Sequence, residues 1–329
     1  MQKFLIIQTA FLGDVILATP LISALAEKYP ACEIDFLLRK GNESIIANNP
    51  NLRQVYTFDK KNKWKALFSL IKQFRSRKYD EIINLHRFGS SGLISVLSGA
   101  KNLTGFKKNP FSIFYQHKII HQYKENWHEV DRNLCCIQHH GNFSSKKPSL
   151  FPSIQDDNAV EKYRKNNYIC IFPASVWFTK QLPKEKWIEL CNHFDSSIKI
   201  LLLGSKSDFD LCEEIKAKTT HSNSENISGF FTLLQVASLV KTAKMNFVND
   251  SGPMHIASAM NAPCTAFFCS TSTTFGFTPL SDLSFIFEKT PKPSCKPCGL
   301  HGFKACPKKH FMCGELNMQS VYEHIKKFL

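Results

Sequence analysis

Short, continuously apolar runs recur along this chain, each closed by a polar or turn residue and followed by a segment with helical spacing. Phe4-Leu5-Ile6-Ile7-Gln8 is followed by a turn, Thr9-Ala10-Phe11-Leu12-Gly13, and then by apolar residues at helical intervals over 14–29, where Pro30 stops the helix. Strands that are apolar without alternation are buried on both faces, which is the signature of parallel sheets covered by helices on each side. The rhythm predicts strands over 4–8, 33–38, 55–58, 79–85 and 102–106, with helices over 14–29, 64–78, within 89–99 and over 127–140. A polar stretch rich in Ser, Lys and Pro at 141–152 reads as a linker. The rhythm then restarts, with strands predicted over 168–172, 198–204, 245–248 and 264–269 and helices over 184–194, 207–219, 233–242, 252–260 and 318–329. The chain of 329 residues therefore divides into two doubly wound α/β domains, 1–150 and 151–329, facing each other with ligands at the carboxyl ends of the strands.

The charge is uneven. The net charge is +15, and 22 basic against 11 acidic residues fall in positions 1–150, compared with 20 against 16 thereafter. A basic first half suits an anionic partner, whether nucleic acid, an acidic membrane face or a phosphorylated glycolipid, while a merely solvated basic surface accounts for the charge equally well. Lys3, the apolar run from Phe4 and Ala24-Leu25-Ala26 imitate a secretory leader. Asp14 inside the apolar region, Pro20 after it and the uninterrupted passage into the next strand argue instead for an unprocessed cytoplasmic chain. Several of the twelve cysteines, Cys170, Cys264 and Cys269 among them, sit in apolar strand-like runs, as buried reduced thiols do.

Neither a G-x-G-x-x-G after the first strand nor a G-x-x-x-x-G-K-[ST] is present, which disfavours a dinucleotide site and a P-loop. Three other strand-end segments carry chemistry. In Leu12-Gly13-Asp14-Val15, Asp14 opens a helix, either as a cap or as a general base kept ionised by the helix dipole. In Asn249-Asp250-Ser251-Gly252-Pro253-Met254-His255, a strand passes into a helix N-terminus, where the Ser251, Gly252 and Met254 amides would meet an anion and His255 would donate to it. Side-chain capping with a packed histidine is the plainer account. In residues 172–183, Lys180 and the neighbouring hydroxyls follow a buried strand and suit a diphosphate, though a surface loop would look the same.

Together the three segments resemble glycosyltransferase family 9, the ADP-heptose:lipopolysaccharide heptosyltransferases, over essentially the whole chain. Leu12-Gly13-Asp14-Val15 with Thr19-Pro20 is similar to the family's opening motif. Ser175 with Lys180, Pro183 and Trp187 resembles its mid-chain loop, and Asp250-Ser251-Gly252 with His255-Ile256-Ala257 its D-[ST]-G-x-x-H segment. The resemblance implies a GT-B fold of two Rossmann-like domains around a central cleft, with the acceptor on the first domain and the nucleotide-sugar donor on the second. It implies an inverting transfer of a heptose or related sugar from an ADP-linked donor to a lipopolysaccharide core or lipid-linked acceptor. Asp14 falls on the base, and Ser175, Lys180, Asp250, Ser251, Gly252 and His255 on the donor site. Val176 stands where some members carry a second hydroxyl beside Ser175, which bears on the donor contacts. With no Asp-x-Asp clamp, no essential metal is expected, Mg²⁺ being at most an optional companion of the diphosphate.

Lys60, Lys61, Lys63, Lys107 and Lys108 are candidates for the acceptor or for the cytoplasmic face of the inner membrane, where the protein would sit peripherally; each is also explained as a solvated surface lysine. No nucleic-acid partner is expected, since charge alone would support one. Cys295, Cys298, Cys306 and Cys313 spell C-x₂-C-x₇-C-x₆-C, a spacing open to a small zinc site, to packed thiols or to a disulfide. The competing functions are a same-fold transferase using another nucleotide-sugar in surface polysaccharide synthesis, and a non-catalytic nucleotide or nucleic-acid binder.

Overall fold

Strand β1 (Lys3–Gln8) is buried from its second residue on, and helix α1 (Leu12–Lys28) follows it directly. The computed structural model describes residues 1–124, 127–143, 147–165 and 167–329. The chain forms two units, Met1–Phe151 and Pro152–Leu329. In the first, β1 and α1 are followed by β2 (Glu33–Arg39), β3 (Gln54–Phe58), α2 (Lys63–Arg77), β4 (Glu81–Asn84), α3 (Gly89–Leu97), β5 (Asn102–Phe106), β6 (His117–Ile119) and α4 (Glu129–Leu134). The strands lie in the order β3-β2-β1-β4-β5-β6, every pairing parallel. Leu5, Ile7, Leu37, Phe74, Ile82 and Ile94 form the core between the sheet and the helices on one face.

The second unit runs α5 (Ile154–Arg164), β7 (Tyr168–Phe172), α6 (Lys184–His193), β8 (Lys199–Leu202), α7 (Phe209–Lys218), β9 (Ser224–Asn226), α8 (Leu233–Thr242), β10 (Asn246–Asn249), α9 (Gly252–Ala259), β11 (Cys264–Phe267), β12 (Ser284–Phe287) and α10 (Met318–Ile325). Its sheet order is β12-β11-β10-β7-β8-β9, again all parallel. Counted within each unit, the two orders are the same. The strand order reverses between β1 and β4 in one sheet and between β7 and β10 in the other. Ligands of open parallel sheets bind beyond the carboxyl ends at such reversals. Trp187 of α6 and Met318, Val321 and Ile325 of α10 join the core of this unit. All twelve cysteines are free thiols. Among the described residues, no helix is long and apolar enough to cross a membrane.

Pro20 lies inside α1, where it cannot donate to the carbonyl of Ile16. Thr19 replaces the missing bond, its Oγ1 donating to Ile16 O at 2.7 Å while accepting from the Ser149 amide at 3.1 Å. The helix therefore passes the proline without a bare carbonyl.

Several predicted elements differ. Helix α1 starts at Leu12, two residues before Asp14. The helix predicted over 127–140 is only α4, which tightens into a 3₁₀ turn over Cys135–His140 ending at Gly141 with φ +143°. Part of the linker, residues 144–146, lies outside the described residues. Helix α5 was not anticipated. Ser153 accepts from the Asp156 amide, and Asp156 accepts back from the Ser153 amide, so a capping box starts it. Only Val160 and Tyr163 of its residues are buried, which leaves almost no apolar period to detect. The unpredicted strands β6, β9 and β12 are short and mostly part-exposed.

Candidate active site

In the first unit the chain leaves β1 through Thr9, Ala10 and Phe11. Asp14 is the third residue of α1, and its Oδ2 accepts from the Phe11 amide at 3.0 Å. The carboxylate thus closes the first turn of a helix that points its N-terminus to the strand-end edge, where the helix dipole favours negative charge. On the neighbouring strand, β4 ends at Asn84, whose Oδ1 accepts from the His86 amide at 3.0 Å. His86 Nδ1 is 2.9 Å from Thr9 Oγ1, joining the ends of β1 and β4 across the strand-order reversal. His86 is buried, and burial first, then the charges of Lys60 and Arg87, lower its pKa to about 4. Its imidazole is therefore neutral at physiological pH.

Because all six strands are parallel, the segments after their last residues share one edge. Arg39 ends β2 and Lys40 follows it, Lys60 and Lys61 follow β3, Lys63 opens α2, Arg87 follows β4, and Lys107 and Lys108 follow β5. The edge that carries Asp14 is thus strongly basic. Partial desolvation, then the charge of Arg39, lowers the Lys60 pKa from the ordinary lysine value. Lys63 Nζ lies 5.4 Å from the Trp64 ring, and Lys108 Nζ lies 5.2 Å from the Tyr123 ring. The Tyr123 phenol has a raised pKa, chiefly from burial, with Glu129 and Asp14 also raising it against Arg132 and Arg87.

In the second unit the reversal lies between β7 and β10, where Phe172 pairs with Val248. Asn249 ends β10 fully buried and ties the two following loops together. Its Nδ2 donates to the carbonyl of Pro173 at 2.9 Å, and its Oδ1 accepts from the Leu182 amide at 2.8 Å. The loop held in this way carries Ser175 and Lys180. Gln181 Nε2 donates to the Ser175 carbonyl at 2.6 Å. Lys180 Nζ reaches Asp250 Oδ2 at 2.8 Å, and Thr271 Oγ1 donates to the same oxygen at 2.6 Å. Asp250 is buried, and the Lys180 side chain is 15% exposed. Ser251 caps α9 in extended conformation, and its hydroxyl donates to the Asn249 carbonyl at 3.3 Å. His255 lies buried in the first turn of α9. Met254 is not a free amide donor as the sequence suggested, because its N–H bonds the Ser251 carbonyl at 3.1 Å. The helix turns tightly at Pro253, and the amides of Ser251 and Gly252 remain as the terminal donors.

The cysteine segment packs against the same loop. The Phe303 amide donates to Thr179 Oγ1 at 2.8 Å, the Thr179 amide to the Phe303 carbonyl at 3.1 Å, and the Cys298 amide to the Ser270 carbonyl at 2.8 Å. Gly302, at φ +74°, leaves no room for a Cβ, which would lie 2.9 Å from Thr179 Oγ1 and 3.0 Å from Lys180 Cγ. Cys295 Sγ is 3.8 Å from His310 Nε2. No three of the four sulfurs lie within 4.8 Å of one another. Among the described residues, three ligand atoms lie within 4.8 Å of one another only at Glu81, His139 and His140, in the other unit.

Residues 67–299 match the model of glycosyltransferase family 9 (heptosyltransferase). The chain belongs to this family. It is a glycosyltransferase of two Rossmann-like, GT-B type domains. It is 24% identical to the lipopolysaccharide core heptosyltransferase OpsX of Haemophilus influenzae over 274 residues, 80% of this chain and 77% of the relative. The solved E. coli ADP-heptose lps heptosyltransferase II superposes with a TM-score of 0.82 at 20% identity, covering 99% of this chain and 98% of that one. E. coli heptosyltransferase WaaC with ADP superposes at 0.73 and 18% identity, covering 99% and 97%.

Sequence reasoning passed over His86, Arg87, Asn249 and Thr271. The first two follow Leu85 at the end of a buried strand, the same signal that singled out Asp14 and Asp250. The roles of Asn249 and Thr271 depend on contacts between loops far apart in sequence, and no spacing encodes them.

Proposed function

We propose that this glycosyltransferase transfers a heptose from an ADP-linked donor, with inversion, to a hydroxyl of an anionic lipopolysaccharide-type acceptor. The Lys180–Asp250 pair beside the N-terminus of α9 carries the reading: it sets a cation and free amides at the strand-order reversal of the second unit, which suits a nucleoside diphosphate. Family relatives acting on lipopolysaccharide cores, and a solved relative holding ADP, support heptose and ADP as the transferred sugar and nucleotide.

In this reading Asp14 accepts the proton of the acceptor hydroxyl as its oxygen attacks the anomeric carbon. The bond from that carbon to the diphosphate oxygen breaks, and ADP leaves from the opposite face. Lys180 and the Ser251 and Gly252 amides stabilise the charge on the departing diphosphate. Ser175 and His255 complete the donor contacts. Asp250, a carboxylate, repels phosphate; it positions Lys180 and Thr271 rather than touching the donor. The first domain, 1–150, meets the acceptor and the second, 151–329, the donor. Lys60, Lys61, Lys63, Lys107 and Lys108 draw the phosphorylated acceptor to the strand-end edge bearing Asp14, and the protein works peripherally at the cytoplasmic face of the inner membrane.

The test is thermal-shift titration with ADP, UDP, GDP and CMP, with and without Mg²⁺, on the wild type and on Asp14→Asn. Stabilisation by ADP in both proteins, with transfer lost only in Asp14→Asn, is the expected result. Preference for another nucleotide would reassign the donor, and transfer by Asp14→Asn at the wild-type rate would remove Asp14 as the base.

A further inference from the structure

Glu81 is the first residue of β4, so it stands at the opposite edge of the first sheet from Asp14 and His86. It is only 3% exposed. His139 Nε2 lies 3.0 Å from its Oε1, and His140 Nε2 lies 2.7 Å from its Oε2. Thr104 Oγ1 donates to Oε1. These two imidazoles are the basic groups bonded to Glu81 among the described residues. A carboxylate buried this deeply needs partners on both oxygens, and two imidazole nitrogens and a hydroxyl supply them.

The surroundings hold the ligands in place. His140 Nδ1 is 2.9 Å from the Tyr29 hydroxyl. Phe4 and Tyr29 meet the His140 ring edge-on at 5.5 Å. His117 stacks on His139 at 3.8 Å and 14°. A metal-bound histidine characteristically donates its second ring N–H to an oxygen, and the Tyr29 hydroxyl is placed to accept it.

We propose that Glu81, His139 and His140 form a site for a borderline transition-metal dication of the zinc class, distinct from the transferase site. Their ligand atoms lie within 4.8 Å of one another. Tetrahedral coordination at bond lengths of about 2.0–2.1 Å places ligand atoms about 3.3 Å apart; with Glu81 Oε2 as the ligand atom, the pairs to His139 Nε2 at 3.2 Å and His140 Nε2 at 2.7 Å need open by about 0.1 and 0.6 Å. Two imidazole nitrogens and one carboxylate suit Zn²⁺, Co²⁺ or Ni²⁺, whereas Mg²⁺ and Ca²⁺ select oxygen ligands. Binding moves each imidazole proton off Nε2, to Nδ1 or to solvent, and leaves a fourth position for water on the side where His139 is 22% exposed. The ion would staple the start of β4 to the turn that closes α4.

Co²⁺ is the probe. Chelator-treated full-length protein is titrated with CoCl₂ and followed by its visible d–d bands, then with ZnCl₂ as competitor, with thermal unfolding read in parallel. One Co²⁺ per chain, displaced by Zn²⁺ and raising the melting temperature, is expected. Glu81→Gln, which keeps the shape and a hydrogen-bonding amide, and the part-exposed His139→Ala should each weaken binding by at least about 100-fold. The Cys298→Ser/Cys306→Ser variant should bind as the wild type does, without sulfur-to-cobalt charge-transfer bands. No uptake by the wild type, unchanged uptake by both Glu81→Gln and His139→Ala, or loss of uptake in the cysteine variant would each overturn the assignment. ADP-induced stabilisation of Glu81→Gln serves as the check that the variant is folded.

Discussion

Replacing Lys180 with alanine separates support of the fold from support of the reaction. The Lys180 and Asp250 side chains are 15% and 8% exposed and pair at 2.8 Å. Removing the ammonium leaves the Asp250 carboxylate with the Thr271 hydroxyl as its remaining charge-oriented partner. Breaking a fully buried pair from one side costs about 3–5 kcal/mol. The truncated lysine opens a path for water, so the cost here is expected at about 2–3 kcal/mol, or a melting temperature lower by roughly 5–10 °C for a domain of this size. Asp250→Asn keeps an oxygen for Thr271 and removes the charge. The double variant Lys180→Ala/Asp250→Asn therefore buries no unbalanced carboxylate and should recover most of that loss. Turnover should not recover. If Lys180 stabilises the leaving diphosphate, both Lys180→Ala and the double variant lose about 10²–10³ in kcat, the scale of one preorganised donor to a developing anion. Unfolding curves and single-turnover transfer on the same four proteins decide the matter. Recovery of turnover together with stability in the double variant would show that Lys180 only balances Asp250.

Two further outcomes follow from buried groups of the first unit. His86 has a folded pKa of about 4, below the ordinary 6.5, so the unfolded chain binds the proton more readily; stability should fall by about 3 kcal/mol as pH drops from 6.5 to 4 and level off below that. Urea unfolding across this range should show a correspondingly flatter profile for His86→Gln, and identical profiles would refute the burial argument. Thr19→Val keeps the shape but strips the Ile16 carbonyl of its substitute donor and the Ser149 amide of its acceptor, for an expected loss of about 2–3 kcal/mol by urea denaturation. A loss below about 0.5 kcal/mol would mean that water replaces the hydroxyl.

The central strands were legible because burial on both faces writes a continuous apolar run: β1 and β7 read directly from Phe4-Leu5-Ile6-Ile7 and Tyr168-Ile169-Cys170-Ile171. The edge strand His117–Ile119 has one neighbour and a polar sequence, so it carries no such run. Helix α5 escaped for the same reason, since its signal is a cap rather than an apolar face. Within the candidate site, residues that begin a helix after a strand were visible in order, which is how Asp14 and Asp250 were found. The partners that orient them were not: Thr9 meets His86 across 77 positions, and Asp250 meets Thr271 across 21. A hydrogen bond between loops of parallel strands is a property of the closed sheet, and no local pattern precedes it.

The two sheets share one strand order yet carry opposite chemistry at the reversal. The first places a carboxylate, Asp14, at a helix start after β1 and a neutral imidazole, His86, after the neighbouring β4, and the segments that follow its strands carry Lys60, Arg87, Lys107 and Lys108. The second places a lysine already held by Asp250 next to the open amides of α9. A rim of many lysines attracts an extended anion without fixing its pose, because exposed charges act over about a Debye length and hold no geometry. A single lysine fixed by Asp250 and braced through Asn249 does the reverse: it holds one anionic group at one place. Under the proposed function, the first arrangement would serve a large, variable acceptor and the second a small, invariant diphosphate. The topology alone does not distinguish the two halves; how tightly the key cation is held does.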